Sequence, residues 1–135
     1  MKITHTSAGH DELRRAHFGD LDGRFTRDVW QAKVDGEVVG TAMAGPPRGL
    51  FGPWVGELYR LEVREGHRGQ GIGARLHDAC LTTWRARGVT VGVVELPAVD
   101  EPTREFYESH GWRPDGHTRP GFQGTGYVRL RRAIN

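Results

Sequence analysis

The feature that most constrains the fold of this chain is a glycine-rich run. It lies between a segment typical of a β-strand and one typical of a helix. The run reads Arg68-Gly69-Gln70-Gly71-Ile72-Gly73. Glycines at alternate positions let the backbone approach a ligand closely, because no Cβ stands in the way. The following helix would direct its unpaired N–H groups and the positive end of its dipole at the same place. With the charge of Arg68 added, the run predicts a pyrophosphate site in a strand–turn–helix unit.

Two other interpretations of this run stay open. A cluster of glycines often forms only a tight turn. The spacing Gly69-x-Gly71-x-x-Ala74 also fits a dinucleotide-binding loop. Against the dinucleotide loop, Arg64–His67 separate the run from the preceding strand, and too little chain remains for the repeated strand–helix units of such a fold. We therefore favour a pyrophosphate site in a fold other than a dinucleotide-binding one.

The chain before the glycine run has the pattern of an antiparallel meander. Asp35-Gly36 is a two-residue hairpin signal, because both residues tolerate positive φ. It joins two β-prone runs, and a third run follows a loop rich in Gly and Pro. The predicted strands are Lys2–Thr6, Val29–Val34, Glu37–Ala44 and Glu57–Val63, with a short helix over Asp11–Phe18.

The chain after the run is predicted to alternate between helices and strands. A helix over Gly71–Arg87 has a buried stripe that recurs every fourth residue, at Ile72, Leu76, Cys80 and Trp84. A second helix spans Asp100–His110 and opens with an Asp and a Pro close together. Strands are predicted over Val89–Leu96 and Gly126–Arg132, with a Gly-rich loop over Pro114–Gly124 between helix and last strand.

Length and composition set limits on the class of protein. The 135 residues fit one domain, residues 1–135, and 36% hydrophobic with 27% charged residues is ordinary for a folded domain. The net charge of +2 is spread without blocks of like charge, so we expect no nucleic-acid partner.

The sequence also limits the disulfides, metal sites and membrane segments that this chain can have. Cys80 is the single cysteine, so no intrachain disulfide or thiolate metal cluster can form, and the seven histidines have no metal-ligand spacing. No apolar run approaches the ~20 residues of a membrane span, and the start lacks a signal-peptide pattern. We expect no metal, no membrane partner and a cytoplasmic location.

Several motifs together resemble the GNAT superfamily of acyl-CoA-dependent N-acyltransferases. Arg68–Gly73 resembles the family's pyrophosphate loop, and Leu61-Glu62-Val63 resembles the strand before it. Phe106-Tyr107, followed by Gly111-Trp112, resembles the end of a later family helix. The hairpin at Asp35-Gly36 also matches, so the resemblance covers about residues 30–112 in the right order.

The resemblance implies a fold and an activity. The fold is α/β (α+β), with a mixed, mostly antiparallel central sheet of about six or seven strands flanked by about four helices. The activity is N-acetyl transfer from acetyl-CoA to a primary amine of a small molecule or peptide, by direct attack on the thioester. A non-catalytic acyl-CoA-binding module, a longer acyl group and a homodimer all remain open.

The resemblance also assigns site residues. Pyrophosphate binding falls to Arg68, Gly69, Gly71 and Gly73. The main chains of Leu61 and Val63 would bind the pantetheine arm, and an N–H near Val63 would polarise the thioester carbonyl.

The catalytic roles go to Tyr107 as general acid and Glu57 as base. Glu57 is favoured over Glu62, which would lie on the opposite face of a regular strand. Asp100 stands where the family more often has an Asn that reaches pantetheine, and we favour a helix N-cap for it. The acceptor is expected between the Phe18–Phe25 connection and the Pro114–Gly124 loop.

Overall fold

The computed structural model describes residues 1–8, 27–47, 52, 54–121 and 126–135. Within these ranges seven strands form one sheet, in the order β1-β2-β3-β4-β5-β7-β6. All neighbouring strands are antiparallel except β4 and β5, which are parallel. The strands are β1 (Lys2–Ala8), β2 (Arg27–Val34), β3 (Glu37–Gly45), β4 (Val55–Val63), β5 (Val91–Pro97), β6 (Arg113–Pro120) and β7 (Gly126–Ala133), and the helices are α1 (Ile72–Ala86) and α2 (Glu101–Ser109). The predicted mixed, mostly antiparallel sheet is confirmed.

The hairpin between β2 and β3 forms at the predicted residues. Asp35 and Gly36 both have positive φ, at 50° and 80°. Two successive residues with positive φ fit the turn whose twist matches the flanking strands.

Helix α1 packs on one face of the sheet through the predicted stripe. Ile72, Leu76, Cys80 and Trp84 are all buried. The sheet makes room for Trp84 by placing glycine beneath it, because a Cβ at Gly56 or Gly92 would lie 2.6 Å from the indole. The core therefore packs α1 over β2, β3 and β4, and Trp84 reaches β5 at Gly92.

A β-bulge in β4 changes which side chains share a face. The pairing with β3 moves from Met43↔Arg60 to Ala44↔Leu58, which leaves Tyr59 as an extra residue. Beyond the bulge, Leu61 and Val63 share the helix-covered face with Leu58.

The same bulge corrects one expectation about the two glutamates. Glu57 and Glu62 lie opposite Gly45 and Thr41 of β3. Both glutamates therefore lie on the face away from α1. The expectation that Glu62 points to the opposite face from Glu57 is wrong, because it assumed a regular strand.

Strand β6 was not expected, since Pro114–Gly124 was predicted as a loop. The segment Arg113–Pro120 has no alternating hydrophobic pattern and is almost wholly exposed. It is an edge strand that pairs only with β7, an environment in which proline is tolerated. The pairing breaks between Pro114 and Thr118.

The expected flank of about four helices is not matched, since the described ranges hold two. The described chain outside α1 and α2 runs mostly as sheet strands joined by turns, so it adds no further helix. The predicted helix over Asp11–Phe18 lies outside the described residues. Neither α1 nor α2 has the length and apolar character needed to cross a membrane.

Candidate active site

A cleft opens where β4 and β5 separate. The two strands pair only over Val55–Glu57 and Val91–Val93, and beyond these residues they have no register partners in one another. The cleft has a volume of about 1100 Å³. Its walls come from β3, β4, β5, the start of α1 and α2, and its lining includes Leu61, Val63, Arg68, Gly73, Glu95 and Tyr107.

The backbone edge of β4 faces this cleft. The Arg64 N–H donates to the Val39 carbonyl of β3 at 2.7 Å. Because successive N–H groups of a strand point to opposite edges, the N–H groups of Val63 and Leu61 point away from β3, toward the cleft. The Val63 carbonyl, on the same edge, accepts a hydrogen bond from Arg68 Nε at 3.0 Å. This edge can therefore accept an extended ligand as an added strand.

The N-terminus of α1 opens beside the same edge. Its N-cap is Gly71, with φ of 78° and no side-chain cap, and the first turn has no acidic residue. The first helical hydrogen bond runs from the Arg75 N–H to the Gly71 carbonyl at 3.1 Å, so the N–H groups of residues 72–74 lack helical acceptors. This is the arrangement that binds anions at helix N-termini.

The two turn glycines have positive φ, and open space lies beside them. Gly69 and Gly71 have φ of 77° and 78°, a region that disfavours residues with a Cβ. No described atom lies within 4 Å of a Cβ built on either residue. A Cβ on Gly73 would instead make ordinary contact with Phe106 at 3.5 Å and Val63 at 3.7 Å, so Gly73 lies close to both β4 and α2.

Tyr107 presents a protonated phenol to the cleft from α2. Its side chain is almost fully buried, and the rings of Phe106 and Trp112 pack edge-to-face against it at 5.4 Å each. Burial raises the pKa of the Tyr107 phenol above its ordinary value of 10.0, and the nearby Cys80 acts in the same direction. The phenol therefore keeps its proton throughout the neutral range.

The cleft brings together only some of the predicted carboxylates. Glu57 is 4% exposed and is not among the residues that line the cleft. Glu62 lines the cleft wall, but its side chain is 65% exposed and pairs with Arg60 at 3.3 Å.

Glu95 is a lining carboxylate that the sequence reasoning missed. The available signal was a single charge inside an otherwise apolar strand, Val91–Leu96.

Asp100 caps helix α2, as predicted. Its carboxylate accepts the Thr103 N–H at 3.2 Å and the Thr103 hydroxyl at 2.7 Å. The side chain also borders the cleft, but both of its oxygens have partners in its own helix. This geometry supports the structural role over a contact with pantetheine.

A buried histidine connects α1 to the segment after α2. The Trp112 indole N–H donates to His77 Nε2 at 2.9 Å, so the neutral ring carries its proton on Nδ1, which donates to Asp78 at 3.0 Å. Burial lowers the pKa of His77 below its ordinary value of 6.5 and, together with the neighbouring His110 and Arg132, outweighs Asp78, which raises it. No group of three or more metal-ligating side chains occurs in the described ranges.

Comparison with known proteins identifies the family. The sequence model of the acetyltransferase (GNAT) family matches residues 3–112. The chain therefore belongs to the GNAT acetyltransferase family, which confirms the family predicted from the sequence.

An individual relative agrees with this assignment. N-acetyltransferase 8 of Rattus norvegicus is 29% identical over 118 residues, which cover 87% of this chain and 50% of the rat protein. The chain thus spans about half the length of that relative.

Solved structures share the fold. The ribosomal-protein-alanine N-acetyltransferase of Brucella melitensis superposes with a TM-score of 0.75 at 21% identity, covering 99% of this chain and 100% of that one. A GNAT family acetyltransferase from Elizabethkingia anophelis with acetyl-CoA bound gives a TM-score of 0.70 at 16% identity, covering 98% of each chain.

Proposed function

We propose that this chain transfers an acetyl group from acetyl-CoA to a primary amine of a small molecule or peptide. One observation carries the proposal: the uncapped N-terminus of α1 and the cleft-facing backbone edge of β4 lie along the same cleft. A molecule with a diphosphate joined to an extended amide arm matches both surfaces. The acetyl-CoA complex of the Elizabethkingia structure supports this choice of donor.

The residues at the cleft fit coenzyme A. The N–H groups after Gly69, Gly71 and Gly73 would hold the diphosphate, because they are donors at the positive end of the α1 dipole. Arg68 is exposed, and its Nε bond to the Val63 carbonyl leaves terminal N–H groups for a phosphate. The backbones of Leu61 and Val63 would pair with the amides of the pantetheine arm.

Acetyl-CoA would supply an activated acyl carbon, to which the amine nitrogen bonds as the carbon–sulfur bond breaks. An alkyl amine with a pKa near 10 is about one part in a thousand neutral at pH 7, which costs about 4 kcal/mol. The chain must therefore accept a proton from the amine and give one to the sulfur.

Each of these proton transfers has a proposed residue. Tyr107, buried and protonated, would donate its phenolic proton to the sulfur. Glu57 would accept the amine proton; because its side chain does not line the cleft, that transfer needs an intervening water. The N–H of Val63 would stabilise the charge that develops on the carbonyl oxygen.

Thermal stability with and without acetyl-CoA tests the donor site. We expect acetyl-CoA to raise Tm of the wild type, and Gly71→Asp to abolish this shift by placing bulk and negative charge where the diphosphate binds. Gly88→Asp is the matched control, since Gly88 has φ of 80° and an equally open Cβ position at the other end of α1.

Two outcomes separate the alternatives. An undiminished shift in the Gly71→Asp protein would refute the diphosphate site. A normal shift in the wild type, without thiol release from acetyl-CoA with any amine, would instead support a non-catalytic acyl-CoA-binding module.

A further inference from the structure

Glu95 lies where the sheet splits, on the wall of the cleft. It follows Val93, the last residue of β5 that pairs with β4, by two positions. Gly92 faces α1, so the odd-numbered residues of β5 face the other side, together with Glu57, which lies opposite Val93. The Glu95 side chain is 19% exposed. Its carboxylate therefore lies at the edge of the cleft and reaches solvent.

Arg119 reaches this carboxylate from two strands away. It lies opposite Tyr127 of β7, which lies opposite Pro97 of β5. Its guanidinium crosses β7 over the Tyr127 ring, 4.1 Å from the ring centre, and its Nε donates to Glu95. The aromatic ring and the carboxylate thus hold a positive charge next to Glu95, although Arg119 itself is not among the residues that line the cleft.

The pair retains binding capacity for a ligand. Arginine has five N–H donors, and within the described part of the chain Arg119 uses only Nε–H in a hydrogen bond. The Arg119 side chain is 48% exposed, so its remaining N–H groups can meet a solute. A carboxylate and a guanidinium side by side complement an ammonium and a carboxylate side by side.

We propose that Glu95 and Arg119 select an acceptor of the α-amino acid type, with Glu95 binding the ammonium and Arg119 the carboxylate. The inference rests on the proposed acetyl transfer and narrows its acceptor to a small zwitterion. A diamine would place a second cation against Arg119, and a peptide N-terminus lacks the adjacent carboxylate. Neither of these acceptors satisfies both members of the pair.

The test compares matched acceptors in a thiol-release assay with acetyl-CoA. The acceptors are the common α-amino acids, their carboxamides, which keep the amine but lose the carboxylate, and aliphatic diamines. For the best amino acid we expect kcat/KM to exceed that of its carboxamide by about 10- to 100-fold, the range of a hydrogen bond to a charged group.

Variants locate that preference. Arg119→Gln should remove the preference: kcat/KM for the amino acid should fall through KM, and kcat/KM for the carboxamide should fall far less. Arg131→Gln is the matched control, since Arg131 is exposed and lies opposite Val93 on the same face, and it should change neither acceptor. Arg119→Lys keeps the charge and should restore part of the preference.

Several results would overturn the inference. If the wild type acetylates a carboxamide or a diamine as efficiently as the amino acid, the inference is wrong, and no variant is needed to show it. An Arg119→Gln protein that loses activity equally toward acid and carboxamide would show a merely structural ion pair. Failure of every amine to release thiol would instead count against the proposed acetyl transfer.

Discussion

Replacing Tyr107 by Phe removes a single hydroxyl group from the cleft and so tests its role alone. The rings of Phe106 and Trp112 contact the Tyr107 ring edge-to-face, and phenylalanine keeps that ring. Phenylalanine fits the same space, so we expect the free energy of unfolding to change by less than about 1 kcal/mol. The donor site at the start of α1 stays intact, so the affinity for coenzyme A should also stay within about threefold.

The rate should fall far more than the stability. Loss of a general acid implies a decrease in kcat of about one to three orders of magnitude, equivalent to about 1.4 to 4 kcal/mol of transition-state stabilisation. Thiol release at saturating acetyl-CoA measures kcat, and the ligand-induced shift in Tm measures donor binding.

The pH profile of the wild type provides an internal check. Burial raises the pKa of Tyr107 above its ordinary value of 10.0, so the acid should remain protonated and kcat should show no basic decline below pH 10 from this group. A Tyr107→Phe protein with kcat within threefold of the wild type would remove Tyr107 from the mechanism.

Two further predictions concern the core. His77 has a pKa below 6.5 in the folded chain, so the unfolded chain binds more protons below pH 6.5, and stability should fall with acidity there by up to about 1.4 kcal/mol per pH unit. His77→Gln, which can still accept the Trp112 N–H, should flatten that decline in urea titrations; an unchanged slope would assign it to other groups. Asp28 is 1% exposed; its carboxylate accepts hydrogen bonds from Arg87, and it also contacts His5 Nε2 at 2.8 Å. Because Arg87→Ala leaves this buried charge without its arginine partner, it should lower the free energy of unfolding by about 2 kcal/mol. The control is Arg85→Ala, on the exposed side of the same helix, which should lower the free energy of unfolding by less than about 1 kcal/mol. If both variants lose the same free energy of unfolding, the contacts of Arg87 with Asp28 do not stabilise the fold.

The parts of the fold that were predicted from the sequence have local signals. Asp35-Gly36 dictates its turn through backbone preference, and the stripe from Ile72 to Trp84 needs only helical periodicity. The cap at Asp100 is likewise a contact within its own helix. Short-range chemistry was sufficient in each case.

The parts that were missed depend on pairing between distant segments. β6 has no hydrophobic alternation and exists because β7 offers it an edge. The bulge at Tyr59 arises from the register with β3, and it alone decides that Glu57 and Glu62 share a face. Glu95 gains its place on the cleft only because β4 and β5 separate after Val93.

A crystal structure with coenzyme A bound tests the central claim most directly. We predict the diphosphate on the N–H groups between Gly69 and Gly73, with the pantetheine amides paired to the backbones of Leu61 and Val63 and the sulfur directed toward Tyr107. A diphosphate bound elsewhere, with protein side chains occupying the space beside Gly69 and Gly71, would contradict the account.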